Sequence, residues 1–337
     1  MRSVGVLGAG SFGTALAAHA AAAERTVVLW SRSDELARRI ARDGVNDAYL
    51  PGVRVPPAVT ATSDLADVAG CELVIVAVPS HGFRETVRAF LAVHPGGGPV
   101  RLISAAKGVE VDTQARMSQV AFEEGVAADR DVRFAVLSGP SFAVELAQEM
   151  ATAVVIASEE AALAALVQGE LSGPILRLYS SSDVVGVELG GAAKNVIAIA
   201  AGLVAGLGLG HNTLAALITR GLHEITRLGI AYGGQTRTFA GLAGLGDLVL
   251  TCTGALSRNR QAGVQLAAGR SVEEITGATS MVAEGIRNSL AVVRLARQRN
   301  VEMPITEQVG AIVHQGKEPR AALAELMRRE LKAEAEL

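Results

Sequence analysis

The chain has 337 residues, enough for about two domains of ordinary size. Half of them are hydrophobic but only 3% are aromatic, so the core must be built from Ala, Val, Leu and Ile. A net charge of −3 argues against nucleic acid as a partner. The two distant cysteines (Cys71, Cys252) and six scattered histidines carry neither a disulfide framework nor a zinc spacing, so no metal is expected.

The amino terminus runs straight into an apolar β-branched stretch, so no signal peptide is expected. Candidate strands follow at residues 4–7, 26–30, 73–78, 100–105, 132–137 and 153–157, with helical patterns between most of them. The continuous apolar run around Val74-Ile75-Val76 suits a parallel strand covered on both faces. From about Asp183 onward no strand pattern appears. Helices are predicted over 184–207, 214–228, 237–243, 258–268, 281–299 and 319–333, with Cys252 in a Thr-rich turn. The expected domains are 1–181 and 182–337, with Ser180-Ser181-Ser182 as a hinge. The longest apolar run, 196–209, is interrupted by Gly202, Gly206 and Gly208 and is shorter than the ~20 residues that span a bilayer. It reads as a buried helix, and a cytoplasmic protein without stable membrane insertion is expected.

Gly8-Ala9-Gly10-Ser11-Phe12-Gly13 is a GxGxxG between the first strand and an apolar helical stretch, with a second strand directly after. In that setting the pattern cradles a pyrophosphate; a glycine-rich turn without a ligand is the alternative. Gly8 permits the tight turn, Gly10 lets a phosphate approach the backbone, and Gly13 lets the helix pack against the sheet. The fold class is therefore α/β: a Rossmann-type doubly wound parallel sheet, followed by an all-α domain. An NAD site usually carries an acid about 20 residues after the loop, for the ribose hydroxyl. Here Ser31 and Arg32 stand there instead. Arg32 suits a 2′-phosphate, so NADP(H) is expected to be accepted beside NAD(H); an Arg32 that merely lies on the surface is the alternative.

A phosphate turn identifies a ligand class and not a reaction. Four later segments are unusual. Lys107, in Ser104-Ala105-Ala106-Lys107-Gly108, follows a strand, where parallel sheets open into a ligand crevice. Ser138-Gly139-Pro140-Ser141-Phe142-Ala143 makes a tight turn after another strand, able to offer N–H groups and a hydroxyl. Lys194 stands inside the small, apolar Gly190-Gly191-Ala192-Ala193-Lys194-Asn195. Burial there would need a partner and would fit it for acid–base work; a snorkelling lysine is the bland alternative. Gly244-Leu245-Gly246-Asp247 brings a carboxylate, and Ser257-Arg258-Asn259-Arg260 follows at a helix start, a natural phosphate site. Asp247 and Ser257 equally read as plain helix caps.

Together these segments resemble the bacterial soluble form of the NAD(P)-dependent glycerol-3-phosphate dehydrogenase family. The resemblance runs nearly the length of the chain: the glycine turn, Asn46 with Tyr49-Leu50-Pro51-Gly52, Ala77–Ser80, and the blocks around Lys107, Ser141, Lys194 and Asp247. It implies catalytic roles for Lys194, Lys107 and Asp247. It implies substrate contacts from Lys107, Gly139, Ser141, Lys194, Asp247, Ser257, Arg258 and Asn259. It implies cofactor contacts from Ser11, Phe12, Arg32, Lys107, Ala143, Arg258, Val282 and Glu284. The implied reaction interconverts dihydroxyacetone phosphate and sn-glycerol 3-phosphate, feeding phospholipid synthesis. The Ala- and Gly-rich helical half offers surfaces for a homodimer. The rival readings are a similar dehydrogenase acting on a β-hydroxy acid or sugar-acid phosphate, and a non-catalytic NAD(P) sensor.

Overall fold

A computed structural model describes residues 3–277, 283–331 and 333–334. The chain forms two compact units, Met1–Lys107 with Ala115–Val184, and Gly108–Gln114 with Val185–Leu337.

The first unit is built on ten strands: β1 (Ser3–Leu7), β2 (Thr26–Trp30), β3 (Val45–Asn46), β4 (Leu50–Arg54), β5 (Val59–Thr62), β6 (Leu73–Val76), β7 (Val100–Ser104), β8 (Val132–Ser138), β9 (Thr152–Ala157) and β10 (Leu176–Ser181). Its helices are α1 (Ser11–Ala22), α2 (Asp34–Asp43), α3 (Ser80–Val93), α4 (Met117–Ala127), α5 (Ala143–Ala147) and α6 (Ala161–Leu171). Eight strands make one sheet in the order β10-β9-β8-β7-β6-β1-β2-β5, and β3 pairs with β4 in a separate hairpin. Valine, leucine and isoleucine from the central strands, among them Val6, Leu29, Ile75, Ile103 and Leu137, fill the core with α1.

The sheet departs from the all-parallel expectation at one end. From β5 to β8 every pairing is parallel, but β9 runs antiparallel to β8, and β10 parallel to β9. The link from β8 to β9 contains only the five-residue α5. Parallel neighbours are ordinarily joined through a full crossover helix packed on the sheet; the link over residues 139–151 has none, and the chain doubles back instead. The two edge strands β5 and β10 lack a continuous apolar run and escape sequence reading. The Ser180-Ser181-Ser182 stretch expected as a hinge is largely the end of β10, whose burial alternates along the strand.

The second unit is helical: α7 (Val184–Gly206), α8 (Gly210–Ala231), α9 (Thr236–Phe239), α10 (Asp247–Thr253), α11 (Arg258–Ala267), α12 (Val272–Gly277), α13 (Glu284–Gln298), α14 (Pro304–Gln315) and α15 (Pro319–Met327). Leu242–Gly246, just before α10, is a π-helical turn. The apolar run read from sequence, 196–209, covers the second half of α7 and the turn that follows it. The whole helix has 23 residues and is long and apolar enough by composition to cross a bilayer; 89% of its apolar window is buried inside the protein. Apolar side chains on all its faces make it the centre of the unit. Gly202 and Gly263 let α11 cross α7 closely: a Cβ on Gly202 would lie 2.0 Å from Arg260 O, and one on Gly263 2.0 Å from Ile199 O. The segment 108–114 packs with these helices, because Val109 is fully buried in their core and Arg294 donates to Val111 O at 3.1 Å.

Candidate active site

In the first unit the glycine turn has the geometry a pyrophosphate needs. Gly8 has φ +117°, which side chains rarely adopt, and its N–H donates to Trp30 O at 3.0 Å. Gly13 packs so tightly that a Cβ there would lie 2.0 Å from Gly8 O, whereas one on Gly10 would meet nothing within 4 Å. Gly10 precedes α1 without a side-chain cap, so the positive end of the helix opens at the turn, where an anion is favoured. Residues 8–13 thus fit a dinucleotide pyrophosphate. Ser11 Oγ donates to Tyr49 O at 2.6 Å, and Phe12 is half-buried. At the end of β2, Ser31 is buried and accepts from Ser33 N–H at 3.1 Å, while Arg32 is exposed.

The same unit brings together three of the expected substrate residues. Gly139, at φ +142°, lies against the backbone of Val154, where a Cβ would come within 2.9 Å. Its carbonyl accepts from Lys107 Nζ at 2.9 Å and from Ser141 Oγ at 3.0 Å. The lysine after β7 is thereby tied to the turn after β8. Ala143 begins α5 and is half-buried.

In the second unit Lys194, on α7, is 5% exposed and Asp247, at the start of α10, is 1% exposed. Lys194 Nζ donates to Asp247 Oδ1, and to Thr251 Oγ1 at 2.8 Å. Thr251 Oγ1 in turn donates to Asp247 O at 2.6 Å. The lysine therefore does not snorkel, and the Asp247 carboxylate is held by Lys194 and caps no helix. Asp247 and Thr251 are four residues apart and share a helix face. Sequence reading missed Thr251 because the segment read as a turn. It is α10 instead, and it buries Cys252, whose thiol desolvation pushes up to about 12.

Ser257 does cap α11: its Oγ accepts from Arg260 N–H at 3.2 Å. Arg258 follows as the first helical residue and is exposed. Desolvation by the surrounding chain still lowers its pKa, opposed by the Glu284 carboxylate at the start of α13. Asn259 Nδ2 donates to Asn195 Oδ1 at 2.9 Å, and Asn259 Oδ1 accepts from Gly285 N–H at 2.9 Å. One amide thus ties together the helices bearing Lys194, Arg258 and Glu284. Neither Asn195 nor Gly285 could be singled out from sequence, because their partners lie 64 and 26 positions away. Val282 lies outside the described residues. Among the described residues no cluster of three or more His, Cys, Asp or Glu side chains could hold a metal ion.

Glycine turns of this build on doubly wound sheets bind dinucleotides, and a buried lysine with a fixed carboxylate partner is suited to moving a proton. A chain carrying both falls in the class of dinucleotide-dependent oxidoreductases. Comparison with known proteins narrows the class. The family model described as the NAD-dependent glycerol-3-phosphate dehydrogenase N-terminus matches residues 3–164, and that of the C-terminus residues 183–324. The chain is 50% identical over 335 residues to a glycerol-3-phosphate dehydrogenase (NAD(P)+) of Geobacter sulfurreducens, covering 98% of each. It is 48% identical over 328 residues to that of Moorella thermoacetica, covering 97% of this chain and 96% of the other. The crystal structure of glycerol-3-phosphate dehydrogenase from Coxiella burnetii superposes with a TM-score of 0.92 at 39% identity, over 97% of this chain and 99% of that one. The chain belongs to the NAD-dependent glycerol-3-phosphate dehydrogenase family.

Proposed function

We propose that the chain interconverts dihydroxyacetone phosphate and sn-glycerol 3-phosphate with NADP(H) or NAD(H). The observation that carries this, beside family membership, is the buried Lys194 held by Asp247 and Thr251. A bound nicotinamide supplies or accepts the hydride. Residues 8–13 and the start of α1 hold the pyrophosphate, and Arg32 meets the adenosine ribose or its 2′-phosphate.

In the reductive direction the substrate carbonyl oxygen gains negative charge, and Lys194 as ammonium stabilises it and delivers the proton. In the oxidative direction neutral Lys194 accepts the proton. Asp247 and Thr251 fix the amine in one place. Arg258 and the N–H groups opening α11 hold the substrate phosphate; anchoring that remote group orients the carbonyl. With its carbonyl engaged by Gly285 N–H, Asn259 has only an amide N–H left for the substrate. The same reading gives Lys107, Gly139 and Ser141 as further substrate contacts and Lys107, Ala143, Val282 and Glu284 as further cofactor contacts. We further infer a cytoplasmic enzyme without stable membrane insertion, working as a homodimer to supply sn-glycerol 3-phosphate for phospholipid synthesis.

The test is oxidation of NADPH or NADH by dihydroxyacetone phosphate, followed by loss of nicotinamide absorbance, in wild type and Lys194→Ala. Turnover is expected in wild type, with kcat lowered by at least ~100-fold in the variant. Cofactor binding without turnover in wild type would discard the reading in favour of a sensor. Near-normal kcat in the variant would remove Lys194 from its role.

A further inference from the structure

Asn46 on β3 has no part in the reaction just described, yet it is fully buried beside the glycine turn. Its Nδ2 donates to Ala9 O at 2.9 Å and to Thr14 Oγ1 at 2.8 Å. Ala9 O can only accept, so chemistry alone places the amide nitrogen on that side. Asn46 Oδ1 is buried without a hydrogen-bond partner. Such an orphan costs free energy, which the two bonds from Nδ2 must offset. Three residues on, Tyr49 O accepts from Ser11 Oγ at 2.6 Å. The β3–β4 hairpin therefore grips the turn on both sides of Gly10: the carbonyl before it and the side chain after it.

A trans peptide is planar, with its N–H opposite its C=O. Pinning Ala9 O therefore sets the direction of Gly10 N–H, away from Asn46, at the one glycine of the turn with open space beside it. The bond to Thr14 fixes the first turn of α1 to the same amide. We propose that Asn46 is a positioning residue for the dinucleotide pyrophosphate: it orients the N–H groups of the turn without touching the ligand. The proposal rests on the dinucleotide reading above.

Asn46→Asp keeps the shape but sets a carboxylate oxygen against Ala9 O. Calorimetric titration with ADP-ribose, which carries the pyrophosphate but no nicotinamide, is the readout. The Kd is expected to rise about ten-fold, the loss that two hydrogen bonds would bring. The KM for dihydroxyacetone phosphate at saturating cofactor should stay within about two-fold of wild type. A purely structural role would lower the melting point and leave the ADP-ribose Kd of the folded protein unchanged, and that result overturns the proposal. If Asn46→Asp does not fold, Asn46→Ser carries the same expectation, because its hydroxyl is too short to hold Ala9 O and Thr14 Oγ1 together. Wild type that fails to bind ADP-ribose overturns the dinucleotide reading and this proposal together. Wild type that binds it, with a variant that binds equally well, overturns this proposal alone.

Discussion

Asp247→Asn removes one charge from a pair whose side chains are 1% and 6% exposed, while keeping size and shape. Breaking a buried pair from one side strands the other ion, at a cost of about 3–5 kcal/mol. In a unit of this size each kcal/mol moves the melting midpoint by about 2–4 °C, so Tm should fall by about 6–20 °C. Replacing both partners with apolar side chains, Lys194→Met with Asp247→Leu, should recover most of that loss, because no charge is then left without a counter-ion. Thr251 does not spoil the cycle, since its hydroxyl still has Asp247 O as acceptor within the helix. The assay is a thermal melt of wild type, both single variants and the double variant. Two units can unfold separately, so two signals are needed. Far-ultraviolet circular dichroism is dominated by helices, and the fluorescence of Trp30, the only tryptophan, follows the first unit. The loss should appear in the helical signal. A shift under about 2 °C for Asp247→Asn, or a double variant as unstable as the two single losses added, would refute a desolvated ion pair at this place.

Three further outcomes are expected. Gly202→Ala forces a methyl onto the backbone of α11 and should destabilise by about 1–3 kcal/mol while raising the KM for dihydroxyacetone phosphate, since Arg258 opens that helix; an unchanged melt would mean the crossing is looser than described. Arg32→Asp should lower the NADPH-to-NADH ratio of kcat/KM by about 10–100-fold, the worth of a hydrogen bond to a charged group, and an unchanged ratio would leave Arg32 without a selective role. Glu224 on α8 accepts from Ile305 N–H, Thr306 N–H and Thr306 Oγ1, yet burial raises its pKa from 4.5 to about 7. A raised folded-state pKa means that stability from the protonated form is fully present below about pH 4.5 and is lost as pH rises through about 7, by at most roughly 3 kcal/mol. Melts across that window should slope downward in wild type and less so in Glu224→Gln; parallel slopes would rule out Glu224 as the source.

Local chemistry was legible in the sequence where one stretch of chain suffices to make it. The turn from Gly8 to Gly13 needs only a strand, three glycines and a helix start, all adjacent, and Ser257 before Arg258 reads as a helix start for the same reason. The central strands announce themselves by apolar runs because both faces are covered. The edge strands β5 and β10 do not, and the reversal at β9 goes with a link that holds a five-residue helix in place of a full crossover helix. Sequence could place Lys194 among small apolar residues but could not name its partners. Asp247 and Thr251 lie 53 and 57 positions away, and only the packing of α10 on α7 brings them within a hydrogen bond. The same holds for Asn46 under the glycine turn and Asn259 between Asn195 and Gly285. Spacing along the chain determines which backbone groups a turn exposes. Which buried charge finds its counter-charge is decided when distant helices close on one another, because desolvation makes an unpaired ion intolerable there.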